Sequence, residues 1–273
     1  SSFSWWGAWL NKNESEYPFG EVHIVNKGNP YKGLQLETVI NGEKITSETL
    51  RKNITQGNLP RLKKVVAKDS KIIFHTHGLA SNNELMQTIK DAFATEVVTN
   101  VIASHYFTIF GSKFSKHYLA KPYYVFYPTA NSPGKTDLSK EIARKYPEEK
   151  DIDWYNALNN EEERYVGEAY TTQFNIPVKY EFDYFNSDDA MPNFKNKEEV
   201  MDWLEQNEVI YHEFKKIGIP LEKFRWNWSA KNNKLTIKGK TTGLCVLQPL
   251  TKPYGDLEHI KPDTNNKRLY VLR

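Results

Sequence analysis

The chain has 273 residues, of which 39% are hydrophobic and 26% are charged, a composition typical of a globular rather than a disordered protein. Its net charge of +3, from 37 basic and 34 acidic residues, gives no electrostatic reason to expect a nucleic-acid partner. The single cysteine excludes an intramolecular disulfide framework and a multi-cysteine zinc site.

The first third of the chain predicts short strands and helical turns. Apolar and polar residues alternate over Glu21–Val25 and again over Leu34–Ile40, which predicts two strands. The Asn41-Gly42 pair is typical of the turn that ends the second strand. Helical spacing predicts a helical turn over Thr46–Lys52 and a short helix over Leu59–Ala67.

The centre of the chain predicts a strand, a helix and a second strand in succession. Lys71–His75 is a compact apolar run of the kind found in buried strands, and Asn83–Ala94 places apolar residues at helical spacing. Val97–Ala103 is rich in β-branched residues and predicts the second strand. Connections of this length join parallel strands, so we expect a β-α-β unit. Tyr123–Tyr127 predicts one more strand.

The second half of the chain predicts one long helix among strands. Glu198–Lys216 carries an apolar stripe and predicts a single helix. Asn232-Asn233 and Gly239 are expected to form turns. The segments predicted as strands are Val178–Phe185, Phe224–Trp228, Lys234–Lys238, Gly243–Leu247 and Leu269–Leu272.

These elements predict an α/β fold with a mixed sheet, a central β-α-β unit and a more β-rich C-terminal part. Residues 1–130 are expected to form an α/β part with the candidate site, residues 131–175 a charged connecting insertion, and residues 176–273 an α+β part. A single domain is the alternative, because no shift in composition forces a boundary.

A His-x-His segment at the end of the central strand is the leading candidate for a functional site. Loops at the carboxyl ends of strands are where α/β folds place their sites, and His75 and His77 lie at such a position. With His105, which follows the next predicted strand, they are expected to ligate a metal, and His77 and Glu84 are expected to be catalytic. Imidazole and carboxylate ligands suit zinc or manganese. The alternative is that both histidines are ordinary strand-end residues.

The same segment resembles two families of metallohydrolase. JAMM-type metallopeptidases carry His-x-His followed by Ser-x-x-Asp, and His75, His77 and the quartet Ser81-Asn82-Asn83-Glu84 are similar, with Glu84 in place of the Asp. Phosphoesterases of the polymerase-and-histidinol-phosphatase type begin with a strand, His-x-His, a helix and a strand that ends near a His, the place held here by His105. Either resemblance implies a metal-dependent hydrolase.

A third interpretation of this segment is nucleophilic. His77-Gly78-Leu79-Ala80-Ser81 resembles the strand and oxyanion loop of α/β-hydrolases. That fold also places its nucleophile on a Gly-x-Ser-x-Gly elbow, and the chain contains no such pentapeptide.

Tryptophans mark two further segments. Ser1–Asn11 resembles a motif of bacterial α-1,2-fucosyltransferases that lies in their nucleotide-sugar-binding half, which implies a glycosyltransferase or a remnant of one. That family's basic His-x-Arg-Arg-Gly-Asp-type motif is missing from the chain. The alternative is an aromatic core segment, with Trp5 and Trp6 buried. Trp226 and Trp228 share one face of a predicted strand, where they would stack on a sugar or a base or pack in the core.

The leading expectation is therefore a metal-assisted hydrolase with its site at the His75–His77 strand end, zinc or another divalent metal as cofactor, and a small-molecule, peptide or carbohydrate substrate. A glycosyltransferase is the alternative, and a non-catalytic binding or structural protein is the third class. No nucleic-acid partner and no membrane span are expected, because no apolar run approaches roughly 20 residues. We therefore expect a soluble protein, and the first residues also lack the pattern of a signal peptide.

Overall fold

The computed structural model describes residues 19–59, 66–93, 99–110, 117–158, 170–185, 191–249 and 262–273. The chain divides into two compact units, one formed by residues 1–122 with 248–273 and the other by residues 123–247. The division into three parts expected from the sequence, with a single domain as the alternative, stays a prediction.

A mixed four-stranded sheet forms the centre of the first unit. Strands β1, β5 and β6 are parallel, β12 pairs antiparallel with β6, and the order across the sheet is β1-β5-β6-β12. Helix α2 connects β5 to β6, so the predicted β-α-β unit and the α/β fold class are confirmed. The bounds are Phe19–Val25 for β1, Val66–His75 for β5, Asn83–Phe93 for α2, Thr99–Ser104 for β6 and Tyr270–Leu272 for β12.

Both faces of β5 are covered, which explains its continuous apolar run. Successive side chains alternate between the two faces. Ile72 and Phe74 pack in a cluster with α2, whereas Ile73 packs on the other face with Ile102 and Tyr270. The second half of β5, from Ile72 to His75, is therefore fully buried within the sheet.

A small three-stranded sheet and one helix follow β1. Their bounds are Gly28–Asn29 for β2, Gly33–Glu37 for β3, Lys44–Ile45 for β4 and Ser47–Thr55 for α1. The strand predicted over Leu34–Ile40 ends early, because the Thr38 N–H donates to the Glu43 carbonyl and closes the turn at Asn41. Residues 60–65 of the predicted Leu59–Ala67 helix lie outside the described residues, and its last two residues begin β5.

A hairpin continues the first unit into the second. Strand β7, Phe107–Phe110, pairs antiparallel with the first residues of β8, His117–Pro128. The later residues of β8 belong to the second unit and include the predicted strand Tyr123–Tyr127.

The second unit is built around one long strand. Strand β11 pairs with β9 along Lys234–Leu247 and with β10 along Lys234–Lys240, and β8 also lies beside it. Asn232 and Asn233 have φ of 50° and 56° and form the predicted two-residue turn between β10 and β11. The bounds are Tyr170–Asp183 for β9, Arg225–Lys231 for β10 and Lys234–Pro249 for β11.

The segment expected to be a charged insertion carries two helices that contribute to a core. Leu138 and Ile142 on one helix and Trp154 on the other are buried around Tyr123. The helices are α3, Lys135–Lys145, and α4, Trp154–Ala157.

The prediction of a single helix over Glu198–Lys216 is wrong. The chain forms two helices there, α5 over Lys197–Gln206 and α6 over Glu208–Ile217. Asn207 leaves the helical conformation, with φ −85° and ψ 106°, and its side chain accepts from the Ile210 N–H. Asparagine is among the best residues for capping a helix, so it starts a new one here. None of the helices that the structure describes is long and apolar enough to cross a membrane.

The turn expected at Gly239 is also wrong, because β11 runs through it without a break. Gly239 lies directly opposite Trp226, and a Cβ atom there would come within 2.5 Å of the indole ring and 2.8 Å of Val178 Cγ2. The glycine therefore makes room for a buried tryptophan ring. Trp226 donates its indole N–H to the Leu221 carbonyl at 3.0 Å. It is buried in the core, which agrees with the expectation of core packing rather than with that of stacking on a sugar or a base.

We predict that Gly239→Ala lowers the free energy of unfolding by about 1–3 kcal/mol, the usual cost of overpacking a filled core. Urea unfolding followed by tryptophan fluorescence measures the change. Gly20→Ala is the matched control, because no atom lies within 4 Å of a Cβ at that position in β1. A Gly239→Ala protein as stable as the parent would contradict the packing described for Trp226.

Candidate functional site

The candidate site lies where the parallel strands β5 and β6 end. The chain leaves β5 at His75, turns at Gly78 with φ 63°, and passes through a single 3-10 turn, Leu79–Ser81, into α2. The Gly78 N–H donates to the Tyr106 carbonyl at 3.0 Å, in the loop that follows β6. This bond holds the two loops side by side at the edge where α/β folds place their sites.

Ser81 and His105 meet across these two loops. Ser81 Oγ lies 3.2 Å from His105 Nδ1, which is hydrogen-bond distance, and both residues are exposed to solvent. Asn82 fixes the position of Ser81, because its Oδ1 accepts from the Leu85 N–H and its Nδ2 donates to the Pro30 carbonyl. Ser81 therefore lies in a turn that hydrogen bonds hold at the start of α2.

A cation lies near this pair. The main chain of Arg273 exchanges two hydrogen bonds with Val101 of β6, and its guanidinium donates to Asn83 Oδ1 at 2.8 Å. Although His105 is exposed on one side, the protein that covers the rest of its ring lowers the pKa of His105, and the positive charge of Arg273 lowers it further. Both effects favour the neutral imidazole, which is the form that accepts a proton from a hydroxyl group.

His75 is paired with a histidine that the sequence analysis did not select. His75 Nε2 lies 2.9 Å from His23 Nδ1 on β1, and Glu21 Oε2 lies 3.8 Å from the other nitrogen of His23. The two rings are almost parallel, at 10°, with centroids 5.2 Å apart. The centroid separation is about the sum of the N···N distance and the two distances from each nitrogen to the centre of its own ring. The two rings therefore meet edge to edge and nearly in line, as in an N–H···N hydrogen bond.

This geometry does not fit a shared zinc ion. Two imidazoles on one tetrahedral ion direct their lone pairs at a point off the line that joins the nitrogens, whereas these two rings point at each other. Within the part of the chain that the structure describes, no three or more His, Cys, Asp or Glu side chains form a group able to hold a metal ion. The zinc or manganese site stays a prediction, and no chemical step is derived through it.

The remaining expected site residues have other neighbours. The His77 ring is stacked on the Phe107 ring, with centroids 3.4 Å apart and planes at 7°. Glu84 Oε1 accepts from the Arg51 guanidinium of α1 at 2.9 Å. The structure therefore brings His105 to Ser81, whereas His75 contacts His23 and His77 contacts Phe107.

Comparison of the chain with known protein families, with curated proteins and with solved structures finds no match. The fucosyltransferase-like segment Ser1–Asn11 lies outside the described residues, so its assignment and the burial of Trp5 and Trp6 stay predictions. Sequence reasoning named Ser81 and His105 in different schemes and did not pair them, and it gave no signal for His23 or Arg273.

We predict that the pKa of His105, followed by NMR, lies below the ordinary value of about 6.5 and rises in Arg273→Gln. The rise is expected to be incomplete, because burial is the larger cause. About 0.5 M salt should act in the same direction by screening the guanidinium. Because the pKa of His105 is lower in the folded chain, the unfolded chain binds more protons at pH values between the two pKa values. The free energy of unfolding should therefore decrease as the pH falls from about 6.5 through the pKa of His105 in the folded chain.

The matched control for this titration is Arg268→Gln, which removes an exposed arginine whose main-chain N–H is bound to Asn266. It should leave the His105 titration unchanged. An Arg273→Gln protein with the parent titration curve would contradict the electrostatic contact.

We also predict that His77→Ala lowers the free energy of unfolding by about 1 kcal/mol through loss of the Phe107 stack, whereas His77→Phe retains most of it. Urea unfolding of both variants measures the difference, and elemental analysis for zinc is made on the same samples. If the parent protein holds near one equivalent of zinc and both variants lose it, His77 is a ligand and the packing role is contradicted.

Proposed function

We propose that the chain is a hydrolase whose nucleophile is Ser81 and whose general base is His105. The observation that carries the proposal is the 3.2 Å contact between Ser81 Oγ and His105 Nδ1 at the carboxyl edge of the parallel sheet. A serine beside a neutral imidazole is the basic arrangement of nucleophilic hydrolysis, and it recurs on unrelated folds. The lowered pKa of His105 supports it, because the base must be unprotonated.

The reaction proceeds in two acyl-transfer steps. Ser81 Oγ attacks the carbonyl carbon of an ester while His105 Nδ1 accepts the hydroxyl proton. When the tetrahedral intermediate collapses, the ester bond breaks and His105 returns that proton to the leaving alcohol. Water then attacks the acyl-Ser81 ester with His105 again as base, which releases the acid and restores the serine. Exposure of both residues gives substrate and water direct access.

Two groups at the start of α2 suit the developing oxyanion. The N–H groups in the first turn of a helix have no partner within the helix, and they carry partial positive charge. Asn82 caps the N–H of Leu85, so those of Asn83 and Glu84 are our candidates for this role.

The base lacks the third member of a full triad. Among the described residues, no carboxylate is hydrogen-bonded to His105, so nothing there orients its ring as the aspartate of a triad does. Loss of that orientation costs serine hydrolases about 10⁴ in turnover. We therefore expect slow turnover with reactive esters, and a stable acyl-enzyme as the easier species to detect.

The test combines turnover with covalent labelling. The parent protein should hydrolyse 4-nitrophenyl esters and react with a fluorophosphonate at Ser81, identified by peptide mass spectrometry. Ser81→Ala should lose the label, and Ser81→Ala and His105→Ala should each lose at least about 100-fold in kcat/KM. Both side chains are exposed, so the substitutions should change stability little.

The controls are Ser229→Ala and His212→Ala, which remove exposed residues of β10 and α6. Both should retain the parent rate and label. Retained activity in Ser81→Ala would refute the nucleophile. Activity that a chelator removes and zinc restores, with Ser81→Ala still active, would favour the metal-assisted hydrolase instead. Absence of both turnover and label would favour a non-catalytic binding protein.

A further inference from the structure

Arg273 is held firmly at the site although its side chain is exposed. Its N–H and carbonyl both bond to Val101, at 2.9 and 3.0 Å, so its main chain continues the pairing of β12 with β6. Asn83 Oδ1 then accepts from one guanidinium nitrogen at 2.8 Å. A guanidinium carries five N–H donors, and among the described residues only Asn83 accepts from this one, so most of its donors face no described acceptor.

The charge of Arg273 is not balanced by its neighbours in the described residues. None of their carboxylates lies within ion-pair distance of it, and the acidic residue at the start of α2, Glu84, is paired with Arg51. The effect of Arg273 on the pKa of His105 indicates that its field reaches the imidazole. The proposed base therefore lies in the field of a cation that none of the described carboxylate side chains pairs.

We infer that the substrate of this site carries an anionic group, a carboxylate or a phosphate, which the Arg273 guanidinium binds next to Ser81. The inference rests on the proposed function, because it names the substrate class of the same site. Arginine is suited to this role, since its planar fork donates two parallel hydrogen bonds to either anion. Asn83 holds the guanidinium in place, so less conformational freedom is lost when the anion binds.

The kinetic experiment compares 4-nitrophenyl hydrogen glutarate with its neutral analogue, 4-nitrophenyl hexanoate, at constant ionic strength. The parent protein should prefer the anionic ester. In Arg273→Gln the ratio of the two kcat/KM values should fall at least about tenfold, the lower end of what one charge-assisted hydrogen bond contributes. Arg273→Lys should recover part of the ratio, and Arg268→Gln should keep the parent ratio. An unchanged ratio in Arg273→Gln would overturn the inference.

A binding experiment tests the anion site without turnover. Inorganic phosphate and glutarate are titrated separately into the parent protein and Arg273→Gln, and the NMR signals of the Asn83 amide and the His105 ring are followed. Saturable shifts that disappear in Arg273→Gln support the inference, and the stronger ligand tells phosphate from carboxylate. Their absence in the parent overturns it. If the shifts occur but no ester is hydrolysed, the anion site stands and the proposed hydrolase fails.

Discussion

The parallel pairing of β5 with β6 is the constraint on which the rest of the first unit depends. The register runs without a shift from Ser70 opposite Thr99 to Phe74 opposite Ala103. Because parallel strands end at the same edge of a sheet, the loops after both strands emerge side by side. The bond between the Gly78 N–H and the Tyr106 carbonyl holds them there. The contact of Ser81 with His105 follows from this pairing, since the loops bring those two side chains within hydrogen-bond distance.

The sequence predicted the elements of this unit but not the contacts between their ends. Strand β5 is covered on both faces, so its apolar residues form a continuous run. Helix α2 is buried on one face, so its apolar residues recur at helical spacing. Both patterns can be read from a few neighbouring residues. The Ser81–His105 contact depends on strand pairing, which no local pattern encodes. The position of Arg273 depends on a three-residue strand that joins the sheet from far along the chain. The His-x-His pattern lies at the same edge of the sheet, where Ser81 and His105 are the residues that meet.

Two errors in the second unit have local physical causes that periodicity does not show. An apolar stripe continues from α5 into α6, but the amide of Asn207 satisfies the Ile210 N–H and so starts a second helix. A glycine between two β-like runs is typical of a turn, but Gly239 also allows the Trp226 ring to lie across the neighbouring strand. In both cases one specific contact, of Asn207 with Ile210 or of Trp226 with Gly239, decides the local structure against the pattern of the surrounding residues.

In the proposed site, an anion bound to Arg273 would also change the base strength of His105. Burial and, as the smaller cause, the Arg273 guanidinium lower the pKa of His105, which keeps the imidazole neutral but makes it a weaker base. An anionic group bound to Arg273 would offset the positive charge of the guanidinium, so the pKa of His105 would rise partway towards its ordinary value while the ester lies next to Ser81. The imidazole would then accept the serine proton more readily when a substrate is present than when the site holds only water. By linkage the effect is reciprocal, because protonation of His105 adds a positive charge that strengthens anion binding. One arginine held by Asn83 would therefore select the substrate and adjust the base that acts on it.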